Sequence, residues 1–226
     1  MTTTKPLCII PARKGSKRLP KKNLLTYRGR PLVQIAVDKA LESEIFESVV
    51  LNTDDSEIIQ LFQNKSDLDI SIRPDFLTGD QVRADEVIRW EITTRAISAD
   101  VIVCCILPTT PSLGMDQISL ALQYLPNNSP IFGVTKSREH VYRTFTLGDE
   151  RSLQPLFPKE LMLQSQDYPD TYSDAGSFYL AAAHVWLDNF SITASKDSRG
   201  WVLDANQNID INNIDDWNLF KALNPE

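Results

Sequence analysis

The sequence predicts an α/β fold, an open and mostly parallel sheet with helices packed on its faces. Three observations predict it. Short apolar runs, among them LCII at 7–10, VVL at 49–51, VIVCCIL at 101–107 and IFGV at 131–134, alternate with segments that carry helical apolar stripes. Polar residues suited to chemistry gather directly after those runs, where an open parallel sheet presents its strand ends to ligands. The length, 226 residues, suits one large domain over 1–226 and is too short for two catalytic domains.

LCII alone fits a central strand or a buried helix segment, and the chain after it decides in favour of a strand. Residues 11–30 form a long polar loop with Pro11 and Pro20, and Gly29 then precedes a helix with Pro31 near its first turn. Leu32, Ile35, Ala36, Ala40 and Leu41 supply that helix with its apolar stripe. SVVLNTDD reads as a second strand that presents Asn52, Thr53, Asp54 and Asp55, before a short helix through Ile58, Ile59 and Phe62. Asp55 suits a ligand contact and a helix cap equally. DISIR is a third strand, and a helix over 84–97 follows with Val87, Ile88, Trp90, Glu91 and Ile97 in mixed spacing. DVIVCCIL (100–107) is the strongest central strand and ends at PTTPS; a helix over 115–125 and the strand IFGVT come next. Residues 138–175, with Pro155, Pro158 and Pro169, break the alternation as an excursion from the sheet. GSFYLAAAHVWL resumes a strand and a short helix, and the chain closes with a strand, a polar loop and a terminal helix.

Thirty acidic against 23 basic residues give a net charge of −7, which opposes non-specific attraction to a nucleic-acid backbone. No run approaches the roughly 18 apolar residues of a membrane span, and 42% hydrophobic content argues against disorder. The stretch MTTTKPLCII is too short in apolar residues for a secretory signal. Cys104 and Cys105 are adjacent, so in a strand they face opposite sides as reduced packing residues. The expectation is a cytoplasmic protein with neither a nucleic-acid nor a membrane partner.

One segment departs from the acidic balance. Residues 13–30 carry Arg13, Lys14, Lys17, Arg18, Lys21, Lys22, Arg28 and Arg30 without an acidic residue. A solvated basic face is the plain reading; the position directly after a strand favours an anion site. A nucleoside triphosphate needs distributed positive charge as its α-phosphate is attacked, and loop amides add donors of fixed direction. Neither GxGxxG nor GxxxxGK[ST] occurs, so no dinucleotide-binding or P-loop motif is present.

IPARKGSKRLPKKN resembles the signature of the cytidylyltransferases that activate nonulosonic and related acid sugars. LNTDD, IRPDFL, PTTPS, QDYP, AGSFY and NIDINNIDDW follow in that family's order, and the resemblance covers nearly the whole chain. CCILPTTPSL and SQDYPDTYSDAGSFY are most similar to the branch that acts on pseudaminic acid. The resemblance implies a Rossmann-like nucleotidyltransferase sheet and a reaction joining CTP to the anomeric hydroxyl of a nine-carbon acidic sugar, with release of pyrophosphate. Sialic, legionaminic or 3-deoxy-manno-octulosonic acid remain alternatives for the sugar, as does a non-catalytic nucleotide-sugar-binding role.

The resemblance also implies roles. Arg13, Gly15, Ser16, Lys17, Lys21 and Asn23 fall to the nucleotide, with Arg13 and Lys21 acting on the leaving pyrophosphate, and Lys14, Arg18 and Lys22 as flanking charge. Arg73 falls to the cytosine; without the resemblance it reads as a strand-end surface arginine. Thr109, Thr110, Ser112, Gln166 and Asp174 fall to the sugar, although the first three also suit a turn. Asp210 falls to Mg²⁺ as the catalytic ligand, and Asn212, standing where the family has an aspartate, is a candidate to add a neutral oxygen, to bind a metal-coordinated water or to stand aside. Asp215 and Asp216 read as caps of the terminal helix. A homodimer built through the 138–175 excursion, which also borders the sugar site, is implied as well. Two departures stand out: the family's sugar-facing glutamine is replaced within Ile106–Thr109, and Gln164 and Ser165 stand where a basic residue is common. The substrate carboxylate then needs another cation, from Lys136, Arg138, Arg143 or a partner subunit. His140 and His184 lie in no catalytic segment and read as structural.

Overall fold

The computed structural model describes residues 5–188, 191–206 and 208–225, so the first four residues of the N-terminal stretch lie outside it. The chain runs through β1 (Leu7–Pro11), β2 (Thr26–Tyr27), β3 (Arg30–Pro31), α1 (Leu32–Glu42), β4 (Ser48–Thr53), α2 (Ser56–Phe62), β5 (Asp69–Ile72) and α3 (Ala84–Thr94). It continues through β6 (Ile102–Ile106), α4 (Met115–Gln123), β7 (Ile131–Lys136), β8 (Phe145–Leu147), β9 (Leu153–Pro155), β10 (Tyr172–Ala182), α5 (Ala183–Asp188), β11 (Arg199–Leu203) and α6 (Ile214–Leu223). The main sheet has the order β11-β7-β10-β6-β1-β4-β5. Only β10 runs antiparallel to its neighbours, so the sheet is open and mostly parallel as the alternation predicts.

Period-two alternation divides the core. Cys8, Ile10, Leu51, Cys104 and Ile106 face α1, α2 and α4, whereas Leu7, Ile9, Val50, Val103 and Cys105 face α3 and α5. The adjacent cysteines thus lie on opposite faces, fully buried and unpaired. Burial pushes both thiols up, which suits packing rather than nucleophilic chemistry. A third cluster lies beyond the sheet, where Ile209 and Ile211 pack with Leu32, Ile35, Trp217 and Phe220 between α1 and α6.

Local chemistry sets the ends of several elements. Arg28 at φ 48° and Gly29 at φ 74° turn β2 into β3, the two positive φ values that a tight hairpin turn requires. Asp55 caps α2 by accepting from the Glu57 amide at 2.9 Å. At α6 the cap is Asn213, accepting from the amides of Asp215 and Asp216, while Asp216 reaches back to the Asn213 amide at 3.0 Å. Asn213 therefore takes the cap role that sequence offers to the two aspartates, with Asp216 completing a reciprocal box. His140 donates Nε2–H to the Pro169 carbonyl at 2.7 Å, and His184 donates Nδ1–H to the Ala99 carbonyl at 2.9 Å.

Strand β10 starts at Tyr172, so the chain returns to the sheet three residues before the AGSFY segment begins, inside the 138–175 bounds expected for the excursion. Its pairing with β7 shifts register between Asp174 and Tyr179, and Gly176 occupies the shift at φ +57°. A Cβ built there would stand 2.4 Å from Asp210 Oδ2. Gly176→Ala combines positive-φ strain with that overlap and should cost about 2 kcal/mol, roughly 4–8 °C in Tm for a chain of this size. Gly29→Ala meets nothing within 4 Å and carries the φ penalty alone. Equal thermal shifts for the two variants, read by calorimetry, would refute the close packing of Gly176 against Asp210.

Candidate active site

The C-terminal ends of β1, β5 and β6 open onto a cavity of about 440 Å³. Arg13, Lys17, Arg18, Lys22, Arg73 and Arg83 all line it. Gly15, Ser16, Asn23 and Thr109 line it too, together with Asp210 and Asn212 from the loop before α6.

The loop after β1 is fastened at three points. The Ala12 amide donates to the Asn52 carbonyl at 2.9 Å, the Lys14 amide donates to Asp54 Oδ1 at 2.8 Å, and Asn23 Nδ2 donates to the Arg13 carbonyl at 3.0 Å. Asp54 and Asn23 thereby hold the backbone while the side chains of Arg13 and Lys17 reach Asp80 at 2.7 and 2.6 Å. Those two contacts hold the Asp80 carboxyl below its ordinary value. Among the described residues nothing crowds Gly15, where an added Cβ would come no closer than 3.9 Å to Arg13 Nη1.

The resemblance gives Lys21 the catalytic role and leaves Lys22 as flanking charge; in the structure Lys22 lines the cavity and Lys21 does not. Lys21 stands at φ 52° and turns outward to bond Glu57 at 2.6 Å, outside the lining of the cavity. Lys22 begins the following helical turn, is half-buried, and donates to Asn212 Oδ1 at 3.2 Å. Burial lowers its ammonium pKa while Asp210 pulls the other way. The left-handed conformation of Lys21 sends the two adjacent lysines in different directions, a feature that composition does not encode.

Arg73 is 5% exposed, not a surface arginine. Its Nε donates to Asn52 Oδ1 at 2.7 Å, and burial brings its pKa down to about 10, which leaves it cationic at neutral pH.

Asp210 is held between two buried isoleucines, Ile209 and Ile211, and the Ile211 amide donates to the Thr109 carbonyl at 2.9 Å. Asn212 Nδ2 donates to Asp210 Oδ2 at 2.6 Å, and Asn212 Oδ1 accepts from Arg18 and Lys22 at 3.3 and 3.2 Å. Buried Asp210 Oδ1 has no hydrogen-bond partner among the described residues, although Thr109 stands beside the carboxylate. Burial raises the Asp210 pKa against the pull of Thr109, Asn212 and Lys22. No group of three or more His, Cys, Asp or Glu residues fit to hold a metal occurs among the described residues. An oxygen left without a donor suits a cation whose remaining ligands come from phosphate and water.

The sugar candidates divide. Thr109 lines the main cavity, whereas Thr110 bonds the Leu107 carbonyl in a turn at 3.2 Å and, like Ser112, lies outside the lining. Gln166 is exposed on the excursion and bonds Gln164 at 2.9 Å. Asp174 lines a second cavity of about 260 Å³ and accepts from the Tyr179 hydroxyl at 3.0 Å through both oxygens. Lys136 is paired with Asp170 at 2.7 Å, and neither it nor Arg138 or Arg143 lines either cavity. Arg83, which sequence does not single out, borders both. Its signal is a basic residue placed at the start of a helix that follows a strand-end loop.

Residues 7–196 match the family described as cytidylyltransferase. The chain belongs to that family. It is 33% identical to the pseudaminic acid cytidylyltransferase of Campylobacter jejuni serotype O:2 over 97% of this chain and 96% of the relative. It is 28% identical to the N-acylneuraminate cytidylyltransferase of Escherichia coli O18:K1:H7 over 96% of this chain and 51% of that protein. Among solved structures, CMP:2-keto-3-deoxy-manno-octonic acid synthetase complexed with CTP superimposes with a TM-score of 0.71 at 18% identity, covering 97% of this chain and 98% of the other. The protein is thus a CTP-dependent nucleotidyltransferase with the fold that its alternating elements predict.

For this cytidylyltransferase the two adjacent lysines make a sharp comparison. Lys22→Ala should lower kcat/KM for CTP by about tenfold or more, since about 1.4 kcal/mol of transition-state stabilisation corresponds to that factor. Lys21→Ala should lower it less than about threefold, since its partner is the exposed Glu57. Steady-state kinetics with circular dichroism as the folding control checks both, and a larger effect at Lys21 would reverse the assignment.

Proposed function

We propose that the cytidylyltransferase joins CTP to pseudaminic acid, giving the CMP-sugar and pyrophosphate, with Mg²⁺ as cofactor and as a cytoplasmic homodimer. The observation that carries the reading is the buried, donorless Asp210 Oδ1 at the edge of a cavity lined by cations. The sugar assignment is supported by the end-to-end similarity to the Campylobacter enzyme.

The sugar's anomeric oxygen attacks the α-phosphorus, the bond from that phosphorus to the β-phosphate oxygen breaks with its electron pair on pyrophosphate, and the hydroxyl proton passes to water. Arg13, Lys17 and Lys22 bind the triphosphate and balance the charge that grows on the leaving group. Arg73 orients the base. Arg83 takes the sugar carboxylate, and the Asp174–Tyr179 pair orients the sugar's polar groups. Asp210, with Asn212 beside it, would hold Mg²⁺, which supplies charge neutralisation and acidifies the sugar hydroxyl.

Purified protein incubated with CTP, Mg²⁺ and pseudaminic, sialic, legionaminic or 3-deoxy-manno-octulosonic acid should release pyrophosphate with pseudaminic acid, with the CMP-sugar identified by mass. Release with another sugar alone reassigns the substrate, and release with none favours a binding role. Asp210→Ala should lose most turnover and its Mg²⁺ dependence while still binding CTP through the basic loop.

Dimerisation is supported by the excursion. His140, Tyr142, Phe157 and Tyr168 stack into a small aromatic cluster that holds it together. Its outer side leaves Leu147 71%, Leu153 62%, Leu156 51% and Met162 84% exposed, an apolar surface that a two-fold partner would cover. The three reduced, buried cysteines are consistent with a cytoplasmic location, and among the described residues no helix is long and apolar enough to cross a membrane. Sedimentation at micromolar concentration should give about twice the chain mass; a fully active monomer would sink the dimer.

A further inference from the structure

Arg73 is buried, yet no carboxylate forms a salt bridge with it among the described residues. Its nearest polar partner is neutral: Nε donates to Asn52 Oδ1 at 2.7 Å and Nη2 points to the Asn52 carbonyl at 3.4 Å. Nη1 has no hydrogen-bond partner among the described residues, and the residue lines the cavity. Asn52 is itself fully buried, and its Nδ2 donates to Glu91 Oε1 at 2.6 Å. Glu91 is 1% exposed, and its other oxygen accepts from Arg95 Nε at 2.6 Å. Arg95 in turn reaches Asp69 at the surface edge of β5.

This chain has one consistent orientation. A guanidinium only donates and a carboxylate only accepts, so the Asn52 amide must turn its oxygen to Arg73 and its nitrogen to Glu91. Reversing it would set donor against donor and acceptor against acceptor in a dry interior. Glu91 thereby fixes the amide, the amide fixes Nε, and Nη1 is left for a ligand acceptor. Val87 and Ala84, which precede Glu91 on α3, also line the cavity, so one helix supplies both apolar wall and buried anchor.

We propose that Glu91 and Asn52 are positioning residues that lock Arg73 to present Nη1 to the acceptor edge of the pyrimidine base, which makes this buried relay a determinant of nucleotide affinity and base choice. The proposal rests on the reading of the cavity as the CTP site. Cytosine offers O2 and N3 as neighbouring acceptors, whereas uracil carries a proton on N3 and opposes a donor there.

The test uses the full chain and three variants. Glu91→Leu removes the carboxylate, Asn52→Leu removes the amide but keeps the Glu91–Arg95 pair, and Glu91→Gln retains an acceptor for Asn52. Calorimetry of CMP, UMP and inorganic pyrophosphate binding is combined with the nitrogen NMR signal of the Arg73 Nε–H, assigned with Arg73→Lys. Both leucine variants should weaken CMP by about tenfold, the worth of one buried hydrogen bond. They should also narrow the CMP-over-UMP preference, broaden or lose the Nε–H signal, and leave pyrophosphate binding within about twofold. Glu91→Gln should restore CMP binding to within about threefold. Parallel loss of CMP and pyrophosphate, or an unchanged Nε–H signal in both leucine variants, overturns the relay. Wild-type protein that binds pyrophosphate but not CMP overturns the base reading itself, whereas wild-type CMP binding that the leucine variants leave intact overturns the relay alone.

Discussion

Like-charge repulsion in the cleft is the constraint on which the rest of the site depends. Arg13, Lys17, Arg18, Lys22 and Arg73 converge on one cavity. Two unit charges about 4 Å apart repel by about 1 kcal/mol in water and about 4 kcal/mol at a protein surface of lower dielectric, so the cluster cannot persist unaided. Three partners answer the five cations. Asp80 spans Arg13 and Lys17, the Asn212 oxygen takes Arg18 and Lys22, and the Asn52 amide takes Arg73. Most of these partners are weaker than a phosphate: an exposed carboxylate and two neutral amides. None of these contacts is a buried ion pair, and the backbone that carries Arg13 and Lys14 is held by Asn23 and Asp54.

The acidic side of the cleft depends on apolar packing. Asp210 comes from a loop with little backbone pairing of its own, and its position is set by Ile209 and Ile211 entering the cluster between α1 and α6. The reciprocal cap at Asn213 and Asp216 then starts α6 immediately after the loop, so the helix that supplies Trp217 and Phe220 also limits how far Asp210 can move. From the other side, Gly176 allows β10 to approach the carboxylate to a distance that no side chain tolerates. A buried carboxylate with one oxygen unpaired is costly, and the packing on both sides is what holds it there.

How much of this was legible in the sequence follows from which physical signals are periodic. The sheet was legible because burial on both faces leaves runs such as VIVCCIL, and the exchange of faces between Cys104 and Cys105 follows from strand geometry alone. The family signature marked the basic loop but not the direction of each side chain. Lys21 and Lys22 differ through one left-handed backbone residue, and nothing in the pair KK announces it. Arg73 looked like a surface residue because its counterparts are distant: Asn52 lies 21 positions away, and Glu91 lies 39 positions beyond Asn52. Asp80 was invisible for a similar reason, since its pairing with Arg13 spans 67 positions across a loop without periodicity. Lys136, Arg138 and Arg143 were attractive only by sign of charge, and the fold places them outside both cavities, where Arg83 stands instead.

Asn212 shows how one uncharged residue can be the consistent choice at a site where a second carboxylate is expected. Its oxygen faces two cations and its nitrogen faces a carboxylate, a pattern that only an amide satisfies at once. An aspartate in the same position would still accept from Arg18 and Lys22, but it would bring a second acceptor within 2.6 Å of Asp210 Oδ2. In that geometry the pair would be driven to share a proton, or would need a cation between them to separate the charges. With asparagine, Asp210 remains a single carboxylate whose Oδ2 accepts from the Asn212 amide while its Oδ1 has no hydrogen-bond partner among the described residues. The departure from the family pattern therefore changes how the carboxylate is held and leaves its Oδ1 without a donor among the described residues.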